Sequence, residues 1–154
     1  MDKTNAIRIL EDIGVEYEHL SIGEQLTDAE AVAAKLGADS ESVFKTLVTV
    51  GKSGGHFVFM VPASAKLDLK KAAKAAGEKS IEMIMQKELF PLTGYVHGGC
   101  SPVGMKKRFP TFIDETCILW EKIYFSAGKI GEQLKVEPME FTEKFDVKIV
   151  ELTM

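Results

Sequence analysis

The chain has 154 residues, 45% of them hydrophobic and 27% charged, and carries a formal net charge of -4. That is enough apolar material for one compact core, and it excludes disordered and fibrous chains. The acidic balance excludes a general nucleic-acid coat, so any contact with a polyanion has to come from a local patch.

Met1-Asp2-Lys3-Thr4 leads directly into Ala6, Ile7, Ile9, Leu10 and Ile13 at helical spacing, with Thr4 able to cap the helix and Gly14 able to close it. This stretch has no apolar core and cleavage site of the kind a signal peptide needs, so none is expected, and the longest apolar runs, such as Phe57-Val58-Phe59-Met60-Val61, fall far short of the roughly 20 residues that span a bilayer. A cytoplasmic protein without membrane contact is expected. Residues 15–20 place Val15, Tyr17 and His19 on one period-two face and Glu16 and Glu18 on the other, which predicts a half-exposed strand. Thr27-Asp28-Ala29-Glu30 reads as a capping box opening a helix that runs to about Leu36-Gly37.

Residues 43–50 and 56–61 are β-branched and aromatic runs separated by Gly51-Lys52-Ser53-Gly54-Gly55, the pattern of a hairpin. Asp68 can cap a short helix over residues 69–76 that Gly77 stops, and residues 80–85 suit a strand leading into another short helix. Gly94, Gly98, Gly99, Pro102 and Gly104 then forbid long regular structure and predict a shaped loop. Strands are expected at residues 112–114, 122–126 and 147–152, with Pro138 opening a helix toward Phe145. With no repeat, linker or low-complexity tract, residues 1–154 read as a single α/β (α+β) domain with a mixed sheet.

Lys45 interrupts a strand that is otherwise almost wholly apolar or β-branched. Either its stem covers apolar surface while the ammonium reaches water, or it is held in a cleft where it binds an anion or stabilises developing negative charge. The loop from Gly94 to Lys107 is neither a P-loop nor a Rossmann fingerprint. It is a turn cluster or, through its consecutive amides, an anion-binding concavity.

Cys100 with His97 nearby invites a nucleophile–base reading, but free cysteine more often serves as a small buried hydrophobe. Cys100 and Cys117 form no C-x-x-C pair and are read as reduced. His19, His56 and His97 lack metal-ligand spacing, so no metal site is expected; alternation along a strand would point Asp114 and Glu115 apart. Two basic clusters, Lys66, Lys70, Lys71 and Lys74, and Lys106-Lys107-Arg108, are either solvated faces or contacts for a phosphate-bearing partner.

Four segments occur in the order and spacing of the YbaK/EbsC family, which the chain resembles over nearly its whole length: Val43-Phe44-Lys45-Thr46-Leu47, Leu67-Asp68-Leu69-Lys70-Lys71, residues 93–107 with Gly98-Gly99-Cys100-Ser101-Pro102-Val103-Gly104, and Ser126-Ala127-Gly128-Lys129. The resemblance implies an aminoacyl-tRNA editing domain related to the insertion domain of bacterial prolyl-tRNA synthetases, with a central mixed, barrel-like sheet flanked by short helices. It implies removal in trans of cysteine mischarged on tRNA for proline, without a cofactor. The substrate thiol itself would attack the ester and expel the ribose oxygen as a strained thiolactone forms.

By the same resemblance Lys45 is the catalytic residue. Thr46, Gly98, Gly99, Ser101, Pro102, Gly104, Ser126, Gly128 and Lys129 bind substrate; with such a substrate the two basic clusters are expected to meet the tRNA through Lys70, Lys71, Lys106 and Lys107. Aminoacyl-tRNA is then the partner, and a prolyl-tRNA synthetase is the candidate protein partner. The chain departs from the family pattern at Ile22, Ile130 and Gln133, which bears on the amino acid selected. Two alternatives stay open: a deacylase for alanine or another small residue that uses activated water, and a module that binds tRNA or a synthetase without turnover.

Overall fold

The computed structural model describes residues 3–23 and 25–154; Met1, Asp2 and Glu24 lie outside the described residues. In chain order the elements are α1 (Asn5–Ile13), β1 (Tyr17–Ser21), α2 (Ala29–Leu36), β2 (Phe44–Gly51), β3 (His56–Pro62), α3 (Leu69–Ala76), β4 (Ile81–Met83), α4 (Gln86–Thr93) and β5 (Thr111–Asp114). A 3-10 turn (Glu115–Leu119), β6 (Ile123–Ser126), β7 (Glu132–Val136), α5 (Pro138–Lys144) and β8 (Lys148–Val150) complete the chain.

The strands divide between two sheets. One is antiparallel, in the order β1-β7-β6, and the other is mixed, in the order β4-β2-β3-β5-β8. A parallel bridge between Val43 and Tyr124, with Tyr124 N donating to Ser42 O at 3.0 Å, joins them at one seam. The mixed α/β class expected from the sequence is the class found, and its barrel-like core is a pair of sheets, not a closed barrel.

Local signals explain most of the element ends. Thr4 Oγ1 accepts from Ile7 N at 3.2 Å and donates to Ala127 O at 2.6 Å, so the cap of α1 also ties that helix to the loop after β6. Asp68 Oδ1 accepts from Lys70 N at 2.9 Å and Lys71 N at 3.2 Å at the start of α3. One expectation needs correction: α2 is capped by Asp28, whose Oδ2 accepts from Ala31 N at 3.1 Å, and not by Thr27. A better acceptor one residue later takes the cap and leaves Thr27 outside the helix. The first strand also begins two residues later than expected, at Tyr17.

β3 shows how the core is layered. Met60 faces the main core, with Ile7 and Leu10 of α1, Ile113 of β5, Phe125 and Leu134 of the other sheet, and Phe141 of α5. The alternate residues Phe59 and Val61 face α3, where they pack with Ala72, Ala73 and Leu152. Both faces of β3 are therefore buried, and its apolar run needs no alternation. Asp114 is buried at the end of β5, where its carboxylate takes Leu152 N at 2.9 Å and Thr116 Oγ1 at 2.7 Å. This carboxylate is spent on holding the chain end and the 3-10 turn together.

Candidate functional site

The site originates in an incompletely paired strand. On one side β2 pairs with β3 along its whole length; on the other it meets β6 only at Val43 and β4 only over residues 49–51, with Ile84 N donating to Val48 O at 3.3 Å. Among the described residues, no strand therefore covers this edge of residues 44–47. Ser42 O and Val48 O both point to that edge, so strand alternation directs the N–H and C=O of Thr46 there as well. The Thr46 hydroxyl is buried and has no hydrogen-bond partner among the described residues. One residue thus combines a main-chain donor aimed at the gap with an orphaned buried hydroxyl.

A cavity of about 290 Å³ wraps this edge. Lys45 stands on its wall, half-buried, with Nζ donating to Ala63 O at 3.3 Å and no carboxylate paired to it among the described residues. Burial pulls the Lys45 pKa below the ordinary lysine value, and the nearby carboxylates of Glu30 and Asp28 only partly restore it. The side chain is neither a solvated surface lysine nor half of a structural ion pair. Its ammonium is available to a ligand in the cavity.

Of the substrate-binding residues expected from the sequence, Thr46, Gly98 and Ser126 line this cavity together with Lys45. Gly99, Ser101, Pro102, Gly104, Gly128 and Lys129 do not; they build or flank the loops that bear the lining residues. Gly98 has φ +86°, and a Cβ there would lie 2.7 Å from Thr27 Cβ and Cγ2. Only glycine lets the loop close against the start of α2. Ser101 is fully buried, and its hydroxyl accepts from Val103 N at 3.3 Å inside the loop.

Tyr95 locks the loop in place: its hydroxyl donates to Val103 O, and its ring lies against Gly104 and Gly128, each with positive φ. A Cβ on Gly99 would stand 3.0 Å from Ile130 N, so the 126–131 turn packs directly on the glycine loop. Pro102 and Gly104 face a separate cavity of about 210 Å³.

Sequence reasoning had not assigned Asp28 or Leu89 to the site, and it carried Gln133 only as a departure from the family pattern; all three line the cavity. Gln133 is buried on β7 and its carboxamide makes no hydrogen bond to another described residue. A buried glutamine next to a buried serine of a neighbouring strand is a polar signal that only the pairing of Gln133 with Ser126 brings out.

Cys100 and His97 also touch the cavity, with no hydrogen bond between them. Burial pushes the Cys100 pKa up to about 12, so the group remains a thiol at neutral pH and is a poor nucleophile. Among the described residues no three His, Cys, Asp or Glu side chains converge as a metal site would require.

The lysines assigned to tRNA fall in two places. Lys106 and Lys107 are exposed just beyond the glycine loop, and neither has an ion-pair partner among the described residues. Lys70 and Lys71 lie on α3, where Lys71 Nζ donates to Glu151 Oε1 and to Thr153 O, both at 2.7 Å. Among the described residues no helix is long and apolar enough to cross a membrane.

Known proteins are similar to this chain in sequence and in fold. A provisionally named Cys-tRNA(Pro)/Cys-tRNA(Cys) deacylase, EbsC, of Enterococcus faecalis is 43% identical over 98% of this chain and 93% of its own. A crystal structure described as a provisional trans-editing enzyme for prolyl-tRNA synthetase superposes with a TM-score of 0.87 at 25% identity, covering 100% of this chain and 99% of that one. A crystal structure of a hypothetical protein shares the fold with a TM-score of 0.89 at 22% identity, covering 96% of this chain and 97% of its own. The sequence profile of the aminoacyl-tRNA editing domain matches residues 23–144. With that match and the full-length relative, the chain belongs to the aminoacyl-tRNA editing domain family.

Proposed function

We propose that the protein is an aminoacyl-tRNA deacylase that works in trans and removes cysteine mischarged on tRNA for proline. The observation that carries this reading is the unpaired edge of β2, which sets one unneutralised lysine and a main-chain N–H beside a small cavity with no assembled protein nucleophile and base. An aminoacyl ester brings a carbonyl that needs a donor, an α-ammonium that needs an anion, and a ribose that leaves. Lys45 and the Thr46 N–H supply positive charge and a donor for the carbonyl oxygen as it gains charge. Asp28 on the cavity wall, with Glu30 of the helix it caps, attracts the α-ammonium, while Gly98 and Ser126 bound the space left for the amino-acid side chain.

The substrate thiol supplies the attack. Its sulfur forms a bond to the ester carbonyl carbon, the carbon–oxygen bond to the ribose breaks, and the thiol proton ends on the ribose oxygen. A four-membered thiolactone leaves the cavity and is opened by water. Such an intramolecular step depends chiefly on placement, for which effective concentrations of about 10⁵ M or more are known. Lys106 and Lys107 contact the tRNA backbone, and a prolyl-tRNA synthetase is the protein partner that would hand the substrate over.

The test is release of labelled amino acid from cysteinyl-, seryl- and alanyl-tRNA by wild type and Lys45→Ala. Cysteine should leave much faster than serine, which has nearly the same size but a far weaker nucleophile. Lys45→Ala should lower that rate at least about 100-fold, the scale of a lost charge-stabilising donor. Equal rates for serine and cysteine with chemistry limiting would replace thiol attack by activated water, and tight tRNA binding without turnover would leave a binding module.

A further inference from the structure

The rim of the Lys45 cavity is chemically divided. On the α2 side it carries Asp28, and Glu30 of α2 is close enough to act on the Lys45 charge; both are carboxylates that repel a nucleic-acid backbone. On the α4 side Leu89 faces the cavity, and the next residue, Phe90, is turned outward with 56% of its surface exposed. Lys106 Nζ lies 5.1 Å from the centroid of the Phe90 ring. The lysine is led there by its backbone: Lys106 N donates to Thr93 O at 3.0 Å, and its stem runs along Gly94, within 3.4 Å of where a Cβ would sit. Val96, 48% exposed, precedes His97 and Gly98 at the cavity edge.

We propose that Phe90 and Lys106 form a docking platform for the unpaired 3′-terminal nucleotides of the tRNA, with a base stacked on the Phe90 ring and its phosphate at the Lys106 ammonium. This rests on the deacylase reading, because an amino acid seated in the cavity forces the nucleotides that carry it to lie across the rim. The α4 side is the side whose charge admits them. An exposed aromatic ring with a cation over one face, leaving the other for a base, is also a pairing that single-stranded nucleic acid uses, since every base has a face to stack and a phosphate to neutralise. An apolar protein segment would gain from the ring but would leave Lys106 and Lys107 uncompensated.

The probe is the trinucleotide cytidylyl-cytidylyl-adenosine, titrated into wild type, Phe90→Ala, Phe90→Trp and Lys106→Ala. Phe90→Ala should weaken its affinity about five- to 150-fold, the range for loss of one stacked base, and raise KM for mischarged tRNA by a similar factor. Phe90→Trp should retain affinity, and the added indole fluorescence should be quenched on binding. Lys106→Ala should weaken binding and lower its salt dependence.

Unchanged affinity and KM in Phe90→Ala, with no quenching in Phe90→Trp, would overturn the platform even if wild type deacylates normally. Phe90-dependent trinucleotide binding by a protein that releases no amino acid from any tRNA would uphold the platform and overturn the deacylase reading instead.

Discussion

Lys45 and Lys71 are both lysines beside acidic residues, yet their surroundings put them to opposite use. At the corner of α3, Lys71 is matched: Glu151 and a main-chain carbonyl occupy its ammonium, the hydrogen bond to Glu151 raises its pKa, and the charge is spent on fastening the chain end. In the seam between the sheets, Lys45 is left with a single 3.3 Å bond to a carbonyl, and burial lowers its pKa. A protein keeps an unmatched ammonium half out of water at a cost in stability. The contrast distinguishes a lysine that holds structure from one held ready for a ligand, although both stand in motifs shared with one family.

The most severe way to break this arrangement is to close the seam. Gly98→Ala forces a Cβ into Thr27 at a φ that suits glycine, which should cost about 2 kcal/mol or more and reduce deacylation at least about 100-fold. Thermal unfolding together with single-turnover release tests it. Normal turnover in a stable variant would mean that Gly98 does not shape the cavity.

The pH profile sharpens the comparison directly. Lys45 has to be charged to act, and its pKa is lowered, so activity should be complete below that pKa and fall as pH rises through it, at lower pH than an ordinary lysine. After subtraction of spontaneous ester hydrolysis, Lys45→Arg should move this alkaline limb upward, because guanidinium stays charged throughout the range. Lys71→Ala should leave the limb in place.

Salt dependence separates the two basic clusters. The double variant Lys106→Ala/Lys107→Ala should lower the slope of log affinity for tRNA against log salt by about 1 to 2, as expected for one or two lost phosphate contacts. Lys71→Ala should change that slope far less, because Glu151 already neutralises the charge. Equal effects at both places would mean that α3 also lies against the tRNA.

The smallest effect should come from Cys100→Ser. With its thiol protonated at neutral pH and no bond to His97, the variant should retain deacylation to within about tenfold and lose about 1 kcal/mol from a poorly partnered buried hydroxyl. An acyl group trapped on Cys100 would overturn substrate-thiol attack in favour of a protein nucleophile.

Helix ends and the hairpin were legible because their causes are local. A threonine or aspartate acceptor, a glycine at positive φ and a glycine-rich turn act within a few residues of one another. Thr27 shows the limit of such reasoning. Thr27 and Asp28 both suit a cap; Asp28 takes it, and Thr27 instead lies against Gly98, about seventy positions away in the chain, a contact that no local pattern announces. β7 was missed for a related reason: Glu132, Gln133 and Lys135 hide its alternation, and Gln133 is inside only because it faces the cavity.

By itself, then, the sequence determined the α/β class, most element boundaries and the identity of Lys45 as an anomaly, since each depends on periodicity, capping or one misplaced charge. Only the tertiary structure decided what the anomaly means. Whether a lysine in a strand meets water, a carboxylate or a cavity depends on where neighbouring strands stop pairing. That is set by Val43 meeting Tyr124 and Ile84 meeting Val48 from opposite ends of β2. The gap between those contacts is a product of long-range packing. No window along the chain contains it.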